Sequence, residues 1–257
     1  MSIRRVLIAN RGEIALRLAR GVADAGLSAV ALYSEDDAQA LHVQRTPESS
    51  ALPGSGVRAY LDQAAVIAAA QRARCDAIHP GYGFLAENGA FAEACAAADL
   101  LFIGPTPTQL RLFGDKLAAR ELAVRCGVPV LEASAALTDA AALAAFRTVV
   151  GAATPLILKA AAGGGGRGMQ ALEAGVESTA ALARCRAEAA AAFGDGTLYA
   201  ERYVTSARHI EVQILGDGQG GVVHFRERDC SLQRRHQKII EIAPAPYLDP
   251  ALLEQLF

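Results

Sequence analysis

Leu156-Ile157-Leu158-Lys159 runs through Ala160-Ala161-Ala162 into Gly163-Gly164-Gly165-Gly166-Arg167-Gly168, and the chain leaves again as Met169-Gln170-Ala171-Leu172. Two apolar segments of strand length thus flank a loop that is almost all glycine. Glycine lets a backbone come within hydrogen-bond range of a phosphate and turn its N–H groups onto the oxygens, which a Cβ would obstruct. The pattern G-x-G-x-x-G fits at Gly163, Gly165 and Gly168, but a dinucleotide site or a P-loop needs a helix next. Met169 to Leu172 reads as a second strand, and no lysine with Ser or Thr follows the loop. The stretch therefore reads as a hairpin flap over phosphates, with Lys159 on the entering strand as counter-charge. The alternative is a flexible glycine linker, and the apolar strands on both sides argue against it.

Upstream, residues 4 to 113 alternate strand and helix. Val6 to Ala9 is apolar; Ile14, Leu18 and Val22 recur at helical spacing; Leu27 to Tyr33 is apolar again, which makes a βαβ unit. A helix from about Asp62 to Arg74, a strand at Ala77-Ile78, a helix from about Asn88 to Ala97 and a strand at Leu100 to Ile103 continue it. The result is an open, mostly parallel sheet covered by helices, with ligands expected past the carboxyl ends of its strands. Asn10-Arg11-Gly12-Glu13 and His79-Pro80-Gly81-Tyr82-Gly83-Phe84 stand there, with Tyr82 and Glu87 toward the crevice. The first turn has one glycine where a dehydrogenase would carry three, so that reading loses its main support; the second could be a plain Gly/Pro turn.

After Gly104-Pro105 a helical pair (Thr106 to Phe113, Lys116 to Cys126) leads to a smaller α+β piece. Asp139 to Val150 and Ser178 to Phe193 are its helices, the latter with Leu182, Cys185, Ala189 and Phe193 on one side. Pro155 to Lys159, Met169 to Leu172 and Leu198 to Glu201 are its strands. Leu198-Tyr199-Ala200-Glu201-Arg202-Tyr203-Val204 runs into a polar connection, a hinge whose backbone could read an adenine edge. His209-Ile210-Glu211-Val212-Gln213-Ile214 alternates, so His209, Glu211 and Gln213 share a polar face, and Gly216 to Gly221 turns the chain into Val222 to Arg228 as a hairpin. Gln233-Arg234-Arg235-His236-Gln237-Lys238 packs three cations and a histidine into six residues; as a strand it would put Arg234, His236 and Lys238 on one face, suited to a polyanion. A solvated charged turn is the other reading.

Composition narrows the classes. The 257 residues exceed one typical domain. Hydrophobic residues make up 52%, much of it alanine, and no eighteen-residue apolar run could span a bilayer. A net charge of −2, from 25 basic and 27 acidic residues, gives no support for nucleic acid or an anionic membrane surface as partner, so any anion site is local. The five cysteines (Cys75, Cys95, Cys126, Cys185, Cys230) form no C-x-x-C pair and read as reduced and mostly core. The start Met-Ser-Ile-Arg-Arg has no signal-peptide pattern, from which a cytoplasmic location, or the mature form of an organelle protein, is expected.

An ordered set of motifs resembles the biotin carboxylase component of biotin-dependent carboxylases, in the ATP-grasp superfamily. It comprises Ile8 to Ala15, His79 to Asn88, Phe102-Ile103-Gly104-Pro105, Gly114-Asp115-Lys116, Lys159 with its loop, Arg208-His209-Ile210-Glu211, and Glu227 to Ser231 through Ala243-Pro244-Ala245-Pro246. The resemblance implies an α/β fold: a Rossmann-like parallel sheet preceding the ATP-grasp over 1–113, then an ATP-grasp domain over 114–257 with a small α+β lid at about 131–203 and an incomplete antiparallel sheet. It implies that Lys116 and Lys159 contact ATP phosphates, that Gly164, Gly165 and Gly166 lie in the flap with Met169 beside it, and that Glu201, Arg202, Tyr203 and Val204 hold adenine. His209, Gln233 and His236 would complete the nucleotide site, Lys238 would bind bicarbonate as the catalytic cation, and Tyr82 would lie near biotin. The implied reaction joins ATP and bicarbonate into carboxyphosphate, whose breakdown carboxylates biotin on a carrier domain. Implied cofactors are ATP, Mg2+ or Mn2+, and biotin. Implied partners are the biotin carboxyl carrier domain, a carboxyltransferase domain or subunit of an acyl-CoA (acetyl- or propionyl-CoA type) or related carboxylase, whose final acceptor (an acyl-CoA, pyruvate or urea) stays open, and a homodimer through the first domain. Another ATP-grasp ligase and a non-catalytic nucleotide-binding module are the alternatives.

The chain departs from the family at Ala161 and Ala162, where a serine and a glycine are usual, and at Ile242, where many relatives have a second acid. Asp249-Pro250 starts a helix that is cut at Phe257 after about two turns, so a chain truncated at its C-terminus is expected. In the family the magnesium-binding carboxylates and a catalytic arginine follow this point. No metal ligand is therefore expected within these residues, and little carboxylation by this polypeptide alone.

Overall fold

The computed structural model describes residues 2–162, 168–173, 179–234 and 237–257. The chain divides into two compact units, Met1–Gly114 and Asp115–Phe257.

In the first unit, β1 (Arg5–Ile8), α1 (Gly12–Asp24), β2 (Ser28–Tyr33), α2 (Leu41–Arg45), β3 (Glu48–Ala51), α3 (Val57–Leu61), α4 (Gln63–Arg72), β4 (Ala77–His79), α5 (Gly89–Ala97), β5 (Leu101–Phe102) and α6 (Pro107–Gly114) follow in order. The five strands form one parallel sheet in the order β3-β2-β1-β4-β5. Alternation along β1 divides the core in two. Leu7 and Ala9 face Val30, Leu32, Ile78 and the buried side of α3 to α5 (Tyr60, Val66, Phe91), while Val6 and Ile8 face Ala15, Ala19 and Val22 of α1. Both faces are covered by helices, which is why the strands read as continuous apolar runs. Each fully buried leucine here contributes about 1.5–3 kcal/mol.

Two loops leave the carboxyl ends of β1 and β4, and Asn10 joins them. Its buried side chain donates to Pro80 O (2.8 Å) and Tyr82 O (3.0 Å) and accepts from Arg11 N (2.8 Å). Arg11 grips Asp37 through two nitrogens, and the Tyr60 hydroxyl donates to the same carboxylate at 2.8 Å. Gly81 turns with φ +69°, and a Cβ there would come within 2.9 Å of Asn10 Nδ2, so the turn needs glycine.

The second unit holds α7 (Lys116–Arg125), α8 (Ala140–Val150), β6 (Leu156–Ala160), β7 (Met169–Leu172), α9 (Thr179–Phe193), β8 (Leu198–Arg202), β9 (Ile210–Gly216), β10 (Val222–Arg234), β11 (Gln237–Ile242) and α10 (Pro250–Leu256). Strands β7-β6-β8 make one antiparallel sheet and β11-β10-β9 another. Leu156, Leu158 and Ala160 with Leu172, Leu198 and Ala200 pack against Leu143 of α8 and Ala181, Leu182, Cys185 and Ala189 of α9. The flanks of the glycine run are the hairpin β6–β7, as their apolar pattern requires.

The charged stretch departs from expectation. Gln233 pairs with Lys238 and Arg234 with Gln237 across β10 and β11, so the described residues of the stretch belong to two paired strands rather than one. Arg234 and Lys238 accordingly stand on different strands, and it is Gln233 that faces Lys238. Alternation says which residues of one strand share a face and not where two strands pair, so the single-strand reading could not place them.

Candidate functional site

The register of the lid sheet builds the site. Lys159 stands opposite Met169 on one side and Tyr199 on the other, and Ile157 stands opposite Glu201. Directly opposed residues share a face, so Ile157, Lys159, Met169, Tyr199 and Glu201 line the face that α8 and α9 leave uncovered. Burial and the nearby Glu201 charge push the Tyr199 hydroxyl up to about 12, so it stays protonated.

The Lys159 ammonium pairs with one oxygen of Glu201, and Arg120 of α7 stands 3.7 Å from the other. Lys116 enters from the start of the same helix: its N–H donates to Ala161 O (3.1 Å) and its Nζ to Ala160 O (3.0 Å). Asp115 holds that helix start, accepting from Leu117 N (2.9 Å) and Ala118 N (3.2 Å) and bridging to Ala162. Burial, then the Lys159 charge, hold the Lys116 pKa below its ordinary 10.5. Lys116 and Lys159 thus converge at the carboxyl end of β6, where the glycine loop departs. The chain returns at Gly168, whose carbonyl accepts from Ala160 N at 2.8 Å. Gly164, Gly165 and Gly166 lie outside the described residues.

The expected adenine hinge splits by alternation. Glu201 lies on the face just described; Arg202 is on the other and pairs with Glu132 at 3.4 Å. Tyr203 donates its N–H to Pro155 O (2.8 Å), and Val204 is 43% exposed.

A second cluster stands on β9–β11. Gln233 Nε2 donates to Nδ1 of His209 and to Cys230 O, both at 2.9 Å, which leaves the other ring nitrogen of His209 3.9 Å from Glu211. Glu211 lies between Lys238 and Arg228, and Glu241 is 3.8 Å and 3.4 Å from the same two cations. Glu211 holds the Lys238 pKa above its ordinary value, so this ammonium is charged at neutral pH. His236 lies outside the described residues. In the first unit, Tyr82 is exposed and donates its hydroxyl to Glu13 at 2.6 Å.

Two family models divide the chain: Biotin carboxylase, N-terminal domain, matches residues 2–110, and Carbamoyl-phosphate synthase L chain, ATP binding domain, matches 115–257. The chain belongs to the biotin carboxylase family. The human mitochondrial pyruvate carboxylase is 47% identical over 258 residues, which cover 99% of this chain and 22% of that protein. The biotin carboxylase of Campylobacter jejuni, solved as a β,γ-ATP complex, superposes with a TM-score of 0.96 at 47% identity, over 99% of this chain and 57% of that one. The biotin carboxylase domain of the Hydrogenobacter thermophilus 2-oxoglutarate carboxylase, a dimer solved with MgADP, ADP and bicarbonate, gives 0.93 at 40%, over 99% and 56%. The fold is that of biotin carboxylase structures: a parallel five-stranded sheet, then antiparallel sheets with an ATP-grasp domain. The chain spans just over half of these two biotin carboxylase chains and less than a quarter of the pyruvate carboxylase.

Sequence reading passed over Arg120, and it quoted Arg228 within a motif without giving it a role in the site. The signal for Arg120 was available: it stands four residues after Lys116, on the same side of a helix.

Proposed function

We propose that this chain is the nucleotide-binding part of a biotin carboxylase, which uses ATP and bicarbonate to carboxylate biotin on a carrier domain. The convergence of Lys116 and Lys159 where the glycine loop leaves β6 carries this reading. Phosphoryl transfer asks a protein mainly for positioned positive charge and exclusion of water. The two ammonium groups would meet the phosphate oxygens, and the face of Ile157, Met169 and Tyr199 would receive the base. Lys238, held charged by Glu211, would attract bicarbonate, and His209, set by Gln233, would serve the nucleotide. Bicarbonate oxygen attacks the terminal phosphorus as ADP leaves, and the carboxyphosphate so formed passes its carboxyl group to the biotin ureido nitrogen as its C–O bond to phosphorus-bound oxygen breaks, the released inorganic phosphate taking up the proton that the nitrogen loses.

The reaction also draws on magnesium. Among the described residues Glu211, Cys230 and Glu241 come close enough to share an ion. Lys238 and Arg228 already neutralise both carboxylates, and a thiol is a poor partner for a hard cation, so this set does not fit magnesium.

The partners we propose are a biotin carrier domain, a carboxyltransferase, and a second copy through the first unit; that a second copy binds at all is supported by the Hydrogenobacter domain, which was solved as a dimer. For the acceptor we propose an acyl-CoA of the acetyl or propionyl type. Pyruvate is the second reading, favoured by the 47% identity with a pyruvate carboxylase. A cytoplasmic location is supported by five free thiols, four of them buried. The test is ATP hydrolysis by the protein that carries this chain. Turnover should require bicarbonate and rise with free biotin, and Lys238→Met should lower it about a hundredfold, the scale of losing one charged anchor. Turnover that ignores bicarbonate and answers to another carboxylate would place the chain with a different ATP-grasp ligase.

A further inference from the structure

We infer that Arg120 is a positioning residue for the nucleotide site: it keeps the Glu201 carboxylate when Lys159 turns from it to a phosphate. The inference rests on the reading of this face as a nucleotide site.

The Glu201 side chain is only 13% exposed, and its two oxygens serve two cations, Lys159 on one and Arg120 on the other. An ammonium that binds phosphate must loosen its hold on that carboxylate. With no second partner, the departure would leave a largely buried carboxylate uncompensated, at a cost that opposes nucleotide binding. Arg120 suits the task of staying behind. It stands one helical turn after Lys116 on α7, and its guanidinium presents several donors in a fixed fork. Its 3.7 Å separation is looser than the Lys159 contact, so it has room to close on Glu201 once Lys159 turns. The helix that delivers one phosphate-binding lysine thereby releases the other.

Without Arg120, Lys159 would be the principal cation left to Glu201 and would be held there. The penalty should fall on binding rather than on the chemical step. In the protein that carries this chain, Arg120→Met should raise KM for MgATP about tenfold in bicarbonate-dependent hydrolysis with kcat within twofold, the scale of one charge-assisted hydrogen bond. Arg120→Lys should recover most of it. Glu201→Gln removes the charge that traps Lys159, so adding Arg120→Met in that background should cost less than twofold. A full tenfold penalty persisting beside Glu201→Gln would overturn the inference, as would an unchanged KM in Arg120→Met. Should Arg120→Met merely lower the melting temperature and leave KM alone, Arg120 is structural and the inference falls. Fluorescent ADP titration separates this from the wider reading. Weaker ADP binding by Arg120→Met in a protein without bicarbonate-dependent turnover keeps the inference and removes the carboxylase. A wild type that binds no adenine nucleotide removes both.

Discussion

Lys116 has opposite consequences for stability and for binding as pH changes. Burial, then the Lys159 charge, hold its folded pKa below the ordinary 10.5, so the charged form is disfavoured in the fold. That penalty is present at neutral pH and is relieved as pH rises through the lowered value, where the unfolded chain still binds a proton that the native one has released. Stability from this group therefore rises on the alkaline side while affinity for phosphates falls. ADP titrations across the alkaline range should show affinity dropping before an ordinary lysine would titrate. Lys116→Arg, whose charge does not titrate there, should flatten the profile. The lysines themselves were legible in the sequence, since each stands beside a motif: Asp115 before one and the glycine run after the other. The pairing of Lys159 with Glu201 was not, because it depends on β8 lying antiparallel beside β6 across 42 residues of chain.

At the scale of elements, the hairpin β6–β7 and the long helix α9 could be read directly, because their apolar periods match the faces they bury. Strand β3, Glu-Ser-Ser-Ala, could not: it is a polar edge strand that joins β2 through backbone pairing and ties to β1 through the Arg5–Glu48 ion pair, none of which leaves an alternating pattern. Helix α3, five residues long, likewise went unread ahead of α4. Helix α7 shows what an element boundary does for a site. Asp115 caps it with two N–H bonds and pins it to Ala162, so the cap also places Lys116. Asp115→Ala should cost about 1 kcal/mol of stability, measured by urea unfolding, with weaker ADP binding besides. A cap of purely local importance would show the first effect alone.

Across the whole molecule, the two units keep separate cores: the clusters around Leu7 and Val6 belong to the first, and the cluster around Leu158 to the second. Separate cores allow separate melting, so calorimetry should resolve two transitions, with MgADP raising only the one that belongs to residues 115–257. A single transition shifted as a whole would show the units melting as one. The division at Gly114 follows from where strand–helix alternation gives way to the lid pattern. The exposure of Ile214, Val222, Phe225, Ile239 and Ile240 on the second antiparallel sheet was not foreseen, for alternation says which residues share a face and not what covers it.

Gly168 brings the chain back beside β6 in a left-handed backbone, φ +67°, where any Cβ would lie 3.0 Å from Ala160 and 3.2 Å from Phe193. Heredity has little latitude there. Every amino-acid replacement that a base change in that glycine codon can bring carries at least that carbon, so drift is closed at this one position.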